Sequence, residues 1–281
     1  MRTRRLGTVK VSAIGLGAMP LSIEGRPDRA RAIATVRAAV DAGITLIDTA
    51  DGYALGADDL GHNEELIAEA LRGAPADVLV ATKGGHTRPA GGGWGLDGRP
   101  EYLRAACDAS LRRLGVEAIG LYQFHRPDPA VPIAESVGAL ADLLDEGKIQ
   151  MAGVSNFDPG QIREAQSVLG GRLASVQNEF SPLFRSSEPE LELCAELGIA
   201  FLPWSPLGGI GRAGDLGNRF AAFAEIGRER GVSPQRVCLA WHLAKAPVVI
   251  PIPGSSRPES IRDSAAAGDL VLTPAELARL G

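Results

Sequence analysis

A tyrosine follows an acidic residue at the end of an apolar run near the start of the chain. The run over residues 46–48 ends at Asp48, and the chain then turns through small residues to Tyr53. Tyr53 is one of only three tyrosines and lies outside any apolar pattern. A phenol beside an ammonium group becomes a stronger acid, because the cation favours the phenolate. Tyr53 is therefore a candidate proton donor if later segments bring a lysine and a histidine to it.

Strand-like and helix-like segments alternate along the rest of the chain. Short apolar runs bounded by amphipathic helices indicate parallel strands with helices outside. A doubly wound sheet is the alternative, but residues 15–20 lack the third glycine of its fingerprint. Eight units predict a closed (β/α)8 TIM barrel with an N-terminal β-hairpin as its plug, in one domain over residues 1–281. The predicted strands cover residues 13–17, 46–48, 78–83, 119–124, 149–154, 174–177, 199–203 and 248–250.

Polar residues stand at or just after the ends of most predicted strands. In a barrel these ends share one face, and that face carries the active site. Singly, Asp48 could be a turn cap, Lys83 a solvated strand end and His125 a structural histidine. Burying so many polar groups together would cost free energy, so their convergence indicates a functional site. The residues concerned are Asp48, Lys83, His125, Ser155, Asn156, Gln177, Asn178, Trp204 and Ser205.

Seven short motifs occur in a fixed order along nearly the whole chain. They are IDTA with GY (47–53), ATK (81–83), LYQFHRPD (121–128), GVSNF (153–157), QN (177–178), WSPLG (204–208) and IPGSSR (252–257). In this order they resemble the aldo-keto reductases. The resemblance implies a (β/α)8 barrel that reduces aldehydes or ketones to alcohols with NADPH, or with NADH, and without a metal.

Four residues are predicted to be catalytic. A carbonyl that accepts hydride needs a proton on its oxygen, and a free tyrosine with a pKa near 10 gives one reluctantly. We predict that Tyr53 is the general acid, that Lys83 tunes it and that Asp48 holds Lys83 charged and in place. We further predict that His125 donates a hydrogen bond that orients the carbonyl.

The resemblance places a dinucleotide along the later strand ends. Amide and hydroxyl groups there would meet the nicotinamide carboxamide, with strand and helix capping as their structural alternative. The ring of Trp204 would stack on the nicotinamide, and backbone N–H groups at a helix N-terminus would bind phosphate. The predicted cofactor-binding residues are Ser155, Asn156, Gln177, Trp204, Ser205, Leu207, Gly254, Ser255, Ser256, Arg257 and Asp263.

Preference for NADPH depends on Arg257, which would meet a 2′-phosphate. The chain departs from the family at Gly254 and Ser260, where a basic residue and an arginine are common. Asp263 keeps the acid of the family's adenine-contacting pair, but Ser264 replaces the amide.

The substrate is expected to enter beside a glycine-rich loop. Trp94 in this loop is predicted to wall the substrate pocket, with coverage of core at the loop base as the alternative. Met19 is the second predicted substrate-binding residue. His62, His86 and His242 are too scattered along the chain to propose a metal site.

Composition excludes several classes of partner. The net charge of −5 does not suit nucleic acid or an anionic membrane, and no apolar run approaches the roughly 20 residues of a spanning helix. The basic start lacks an apolar signal segment, so we expect a cytoplasmic protein. We expect Cys107, Cys194 and Cys238 to be buried thiols, and the protein to be a monomer or weak homo-oligomer.

Two other functions are compatible with this fold. A non-catalytic nucleotide-binding regulatory or sensor protein could share it, although the complete set of four catalytic residues argues against that. An unrelated barrel hydrolase or metal enzyme would need clustered acids or histidines at the strand ends. The predicted strand ends carry one acid and one histidine.

Overall fold

The computed structural model describes residues 1–75, 77–90 and 92–281. Within them, seven parallel strands form one curled sheet, and two antiparallel hairpins accompany it. The strands are β1 (Thr3–Leu6), β2 (Val9–Ser12), β3 (Leu16–Gly17), β4 (Leu46–Asp48), β5 (Leu79–Gly84), β6 (His86–Thr87), β7 (Gly95–Leu96), β8 (Leu121–Phe124), β9 (Ala152–Ser155), β10 (Leu173–Gln177) and β11 (Ala200–Phe201). The parallel sheet runs in the order β3, β4, β5, β8, β9, β10 and β11, while β1–β2 and β6–β7 are the hairpins.

Residues 248–254 close this sheet into a barrel. Val249 bridges to Phe201 on one side, and the amide of Gly17 donates to the carbonyl of Pro253 at 3.0 Å on the other. The predicted eighth strand is therefore present as isolated bridges rather than as a ladder. Pro251 and Pro253 have no N–H group, so a continuous ladder cannot form here.

The N-terminal hairpin covers one end of the barrel. Leu6 and Val11 are almost fully buried, and they join an apolar cluster inside the barrel. Met151 belongs to the same cluster and directly precedes β9. The hairpin thus fills the amino-terminal end of the barrel, as its predicted role as a plug requires.

Helices surround the barrel. Successive helices pack on one another from α1 to α6, and α10 packs against α1, which returns the helical layer to its start. A second apolar core lies between this layer and the strands, and it includes all three buried cysteines. The helices of the described residues are α1 (Arg29–Asp41), α2 (His62–Ala70), α3 (Pro100–Leu114), α4 (Ile133–Asp145), α5 (Pro159–Val168), α6 (Glu188–Leu197), α7 (Leu216–Arg219), α8 (Ala221–Arg230), α9 (Pro234–Lys245), α10 (Pro258–Ala266) and α11 (Pro274–Leu280).

Side-chain caps fix where four of these helices begin. Asp28, Asp158, Ser233 and Thr273 each accept a hydrogen bond from the amide of the third helical residue. Such a cap satisfies an amide that has no partner within the helix and contributes about 1 kcal/mol. None of the helices in the described residues is both long and apolar enough to span a membrane.

Candidate active site

The side chains of Asp48, Lys83 and Tyr53 meet at the carboxyl end of the barrel. The ammonium group of Lys83 donates to a carboxylate oxygen of Asp48 at 2.6 Å and to the carbonyl of Thr49 at 2.8 Å. Its third contact is the phenolic oxygen of Tyr53, at 3.1 Å. The three donor positions of Lys83 are thereby directed at three oxygens. Asp48 ends β4 and Lys83 lies in β5, its neighbour, so the sheet itself sets their separation.

The second carboxylate oxygen of Asp48 is held by two glutamines. The side-chain amide of Gln177 donates to it at 2.8 Å, and that of Gln123 at 3.3 Å. All of these groups are buried. Gln177 was predicted for the cofactor, whereas its amide nitrogen binds Asp48. Gln123 was not predicted, although a polar residue inside an otherwise apolar strand was a usable signal.

Burial and neighbouring charges shift the pKa values of Lys83 and Tyr53 in opposite directions. Burial alone would lower the pKa of Lys83, but Asp48 and Tyr53 together outweigh it, so the pKa lies above its ordinary value. Burial raises the pKa of Tyr53, and Lys83 offsets only part of that rise. The sequence argument considered Lys83 alone and did not include burial. Tyr53 is therefore a neutral phenol at neutral pH. Because Lys83 is nearby, Tyr53 is a stronger acid than a tyrosine buried to the same extent without a cation.

His125 lies beside Tyr53, directly after β8. The two rings meet edge-on with their centroids 5.6 Å apart. Burial, together with the positive charge of Lys83, holds the pKa of His125 well below its ordinary value. Its Nδ1 atom is buried and has no hydrogen-bond partner among the described residues. His125 is thus a neutral imidazole, able to donate one hydrogen bond.

These residues border a cavity of about 470 Å³. Tyr53, His125 and Asp48 line it, and Lys83 lies fully buried beneath them. The predicted substrate-binding residues Met19 and Trp94 line it as well. The predicted cofactor-binding residues that reach it are Ser155, Asn156, Gln177, Trp204, Ser205, Leu207, Gly254, Ser255 and Ser256. A cavity of this size suits a drug-sized ligand.

Asn156 joins the loops after three strands. Its amide nitrogen donates to the carbonyl of His125 at 3.0 Å, and its amide oxygen accepts from the indole N–H of Trp204 at 3.2 Å. Asn156 has a φ of 62° and Ser205 a φ of 51°, both in the left-handed region that non-glycine residues seldom adopt. Backbone strain of this kind often marks functional sites. The hydroxyl of Ser155 donates to the carbonyl of Gln177 at 2.7 Å, so these side chains also position one another.

Two glycine-bearing segments at the cavity are candidates for phosphate binding. Gly208 and Gly209 have positive φ values and follow Ser205 in one loop, and Gly209 lines the cavity. Gly254 lines the cavity just before α10, and a Cβ there would come within 2.9 Å of Pro20. At both positions the wall is backbone without a side chain, which suits the close approach of a phosphate.

The structure does not bring Arg257 or Asp263 to the cavity wall. Arg257 is exposed at the N-terminus of α10. The carboxylate of Asp263 accepts from Arg236 at 2.6 Å and is also hydrogen-bonded to Ser233. Asp263 therefore ties α9 to α10.

The sequence reasoning missed the hairpin β6–β7 and with it His86. The glycines of this segment predicted an irregular loop, whereas two short strands pair and place His86 and Trp94 at the cavity. Arg126 also lines the cavity. Among the described residues, no three acids, histidines or cysteines are grouped so that they could hold a metal ion.

Comparisons with known proteins agree with this geometry. The model of the aldo/keto reductase family matches residues 13–281. An uncharacterized oxidoreductase of Schizosaccharomyces pombe is 33% identical over 99% of this chain and 88% of its own. A probable aldo-keto reductase of Glycine max is 33% identical over 97% of this chain and 86% of its own.

Solved structures give the same result. An aldo/keto reductase from Klebsiella pneumoniae, in complex with NADP and acetate, superposes with a TM-score of 0.83 at 30% identity, covering 99% of this chain and 93% of that one. A glycerol dehydrogenase from Gluconobacter oxydans superposes with a TM-score of 0.85 at 29% identity, with the same coverage.

Proposed function

The chain belongs to the aldo/keto reductase family of oxidoreductases, and from that premise we propose that it reduces aldehydes or ketones to alcohols. The observation that carries the proposal is the contact of the buried Lys83 with both Asp48 and Tyr53, two residues of the cavity wall. This contact gives a buried phenol a nearby positive charge and an open side from which to donate a proton.

Tyr53 is the proton donor in this proposal. Its hydroxyl faces the cavity and protonates the carbonyl oxygen as that oxygen gains negative charge. Lys83 stabilises the phenolate left behind, and Asp48 keeps Lys83 charged and fixed. His125, which is neutral, donates a hydrogen bond that orients the same carbonyl oxygen.

We propose NADPH as the cofactor, with NADH as the weaker alternative. When bound, the dinucleotide supplies the hydride. The cavity fits it, since the aromatic ring of Trp204 and the glycines Gly209 and Gly254 all line its wall. A Klebsiella pneumoniae relative was crystallised with NADPH, which supports the phosphorylated form. Arg257 is the proposed partner of its 2′-phosphate, because it is exposed at the N-terminus of α10 and directly follows Ser256, which lines the cavity.

The test is Tyr53→Phe, followed by NADPH absorbance with a panel of aldehydes and ketones. We expect turnover to fall by about 10²–10⁴-fold, the usual contribution of general acid catalysis. Binding of NADPH, measured by fluorescence titration, should not change. Turnover of the variant close to that of the wild type would contradict the mechanism.

Tyr122→Phe is the matched control. Tyr122 is buried in β8, its hydroxyl donates to the carbonyl of Leu103 at 3.1 Å, and it does not line the cavity. The same loss of a hydroxyl there should leave turnover unchanged. Tight NADPH binding by the wild type with no turnover on any carbonyl would instead indicate a nucleotide-binding regulatory protein.

A further inference from the structure

His86 is a second histidine at the cavity, adjacent to His125. The two rings meet edge-on with their centroids 4.8 Å apart, and both line the cavity with Tyr53. Tyr53 and His125 are the groups assigned to the carbonyl oxygen. His86 is therefore placed to reach a substituent on the carbon next to the carbonyl.

The position of His86 is fixed by its surroundings. Its ring stacks on Trp94 with centroids 4.4 Å apart, and the guanidinium of Arg88 lies 3.7 Å from the centre of the Trp94 ring. Arg88 is itself buried and donates to the carbonyl of Ala54, in the loop that follows Tyr53. This layered arrangement holds the imidazole at the cavity without using its nitrogens.

The backbone of His86 is packed just as closely. A Cβ on Gly52 would lie 2.4 Å from the carbonyl oxygen of His86, so only glycine fits there. Gly52 directly precedes Tyr53. The hairpin that carries His86 thus lies directly on the turn that carries the proton donor.

The imidazole of His86 is neutral and has hydrogen-bonding capacity to spare. Burial and the positive charges of Arg126, Arg88 and Lys83 lower the pKa of His86 to about 4. A neutral imidazole carries one donor and one acceptor. In the part of the chain that the structure describes, the histidine rings that form hydrogen bonds are those of His62 and His242, and the ring of His86 forms none. Both nitrogens are thus available to an oxygen of the substrate.

We propose that His86 determines specificity, by hydrogen bonding to an oxygen on the carbon beside the carbonyl. The favoured substrates are then α-hydroxy carbonyl and 1,2-dicarbonyl compounds, in preference to simple aldehydes and ketones. A neutral imidazole can accept from a hydroxyl or donate to a second carbonyl, so it serves both groups. The inference rests on the proposed reductase function, and it adds the substrate class.

Two ketones of the same size provide the test. Hydroxyacetone and butanone differ only by a hydroxyl in place of a methyl group on the carbon beside the carbonyl. We expect the wild-type protein to have the higher kcat/KM for hydroxyacetone. In His86→Phe this preference should fall by about fivefold to tenfold, the effect of one lost neutral hydrogen bond, while kcat/KM for butanone stays within about twofold.

Two further variants separate a specific role from a structural one. His86→Asn restores a donor and an acceptor close to the ring and should recover part of the preference. His62→Phe is the matched control, because His62 is bonded to Ser22 at 2.8 Å and does not line the cavity. It should leave the preference unchanged.

Three results would overturn the inference. The first is an unchanged preference in His86→Phe, and the second is an equal loss with both ketones, which would indicate a structural role alone. The third is a preference for pyruvate that Arg126→Met abolishes and His86→Phe does not, which would assign specificity to Arg126. Reduction of none of these compounds, or of any carbonyl, by the wild type would instead contradict the proposed function itself.

Discussion

At its amino-terminal end the barrel interior is filled by apolar side chains, among them Leu6 and Val11 of the N-terminal hairpin. At its carboxyl end the same interior holds the buried ion pair of Asp48 and Lys83. The first arrangement stabilises the protein by removing apolar surface from water. The second removes two charges from water, which is costly unless every polar atom is bonded.

The structure shows how the polar end compensates for that cost. Lys83 donates to three oxygens, and both oxygens of Asp48 accept hydrogen bonds, with Gln177 on the second. A hydrophobic replacement of similar volume would often stabilise a fold as well as such a pair does. The comparison therefore associates stability with the amino-terminal end and the proposed proton transfer with the carboxyl end.

Lys83→Met should have the largest effect on both stability and activity. It leaves the carboxylate of Asp48 buried without its cation, and we expect a loss of about 3–5 kcal/mol in the free energy of unfolding. Turnover should also be lost, since Tyr53 would lose its tuning cation. Urea unfolding and carbonyl reduction by NADPH measure the two effects.

The double variant Asp48→Asn with Lys83→Met separates these effects. It removes both charges, so most of the lost stability should return while turnover stays low. A double variant as unstable as Lys83→Met alone would contradict the view that the unpaired charge is what destabilises.

Leu6→Ala tests the apolar end. Leu6 is fully buried, and its truncation should cost about 2–5 kcal/mol through lost burial and the cavity left behind. Turnover per folded molecule should match the wild type, because the hairpin lies at the end opposite to Tyr53. Thermal unfolding and active-site titration with NADPH measure the two quantities. A fall in kcat as large as the fall for Lys83→Met would contradict the division between the two ends.

Much of this architecture could be predicted from the sequence. Apolar runs that end in Asp48, Lys83 and His125 identify strands, and the carboxyl ends of parallel strands share a face, so their convergence follows from topology. The roles of Asp48, Tyr53, Lys83 and His125 stay predictions, as does the single domain over residues 1–281. The positions of these four side chains are compatible with those roles.

The remaining features depend on packing that sequence patterns do not show. The hairpin carrying His86 was missed, because its glycines indicate a loop and its strands are two residues long. Gln177 was assigned to the cofactor because its amide could meet the nicotinamide carboxamide, and only the fold shows its hydrogen bond to Asp48. Asp263 was assigned to the cofactor by its position in a family motif. In the structure its carboxylate accepts a hydrogen bond from Arg236 of another helix.

Asp158→Ala should have the smallest effect, because the side chain of Asp158 is exposed and does not line the cavity. Asp158 caps α5 and forms a reciprocal capping box with Gln161. We expect a loss of about 1 kcal/mol in unfolding free energy and no change in turnover. Chemical denaturation with a parallel rate assay checks both. A change in kcat/KM would show that helix positions on the outer layer influence the site.

The pH dependence of the reaction in both directions tests Tyr53 most directly. Because burial raises the pKa of Tyr53, the phenol stays protonated from about pH 6 to 9, and carbonyl reduction should be independent of pH there. Alcohol oxidation by NADP⁺ needs the phenolate, so its rate should rise about tenfold per pH unit below that pKa. Tyr53→Phe should lose both activities. A reduction rate that already falls with rising pH below about pH 7 would instead make a histidine the proton donor and contradict the account.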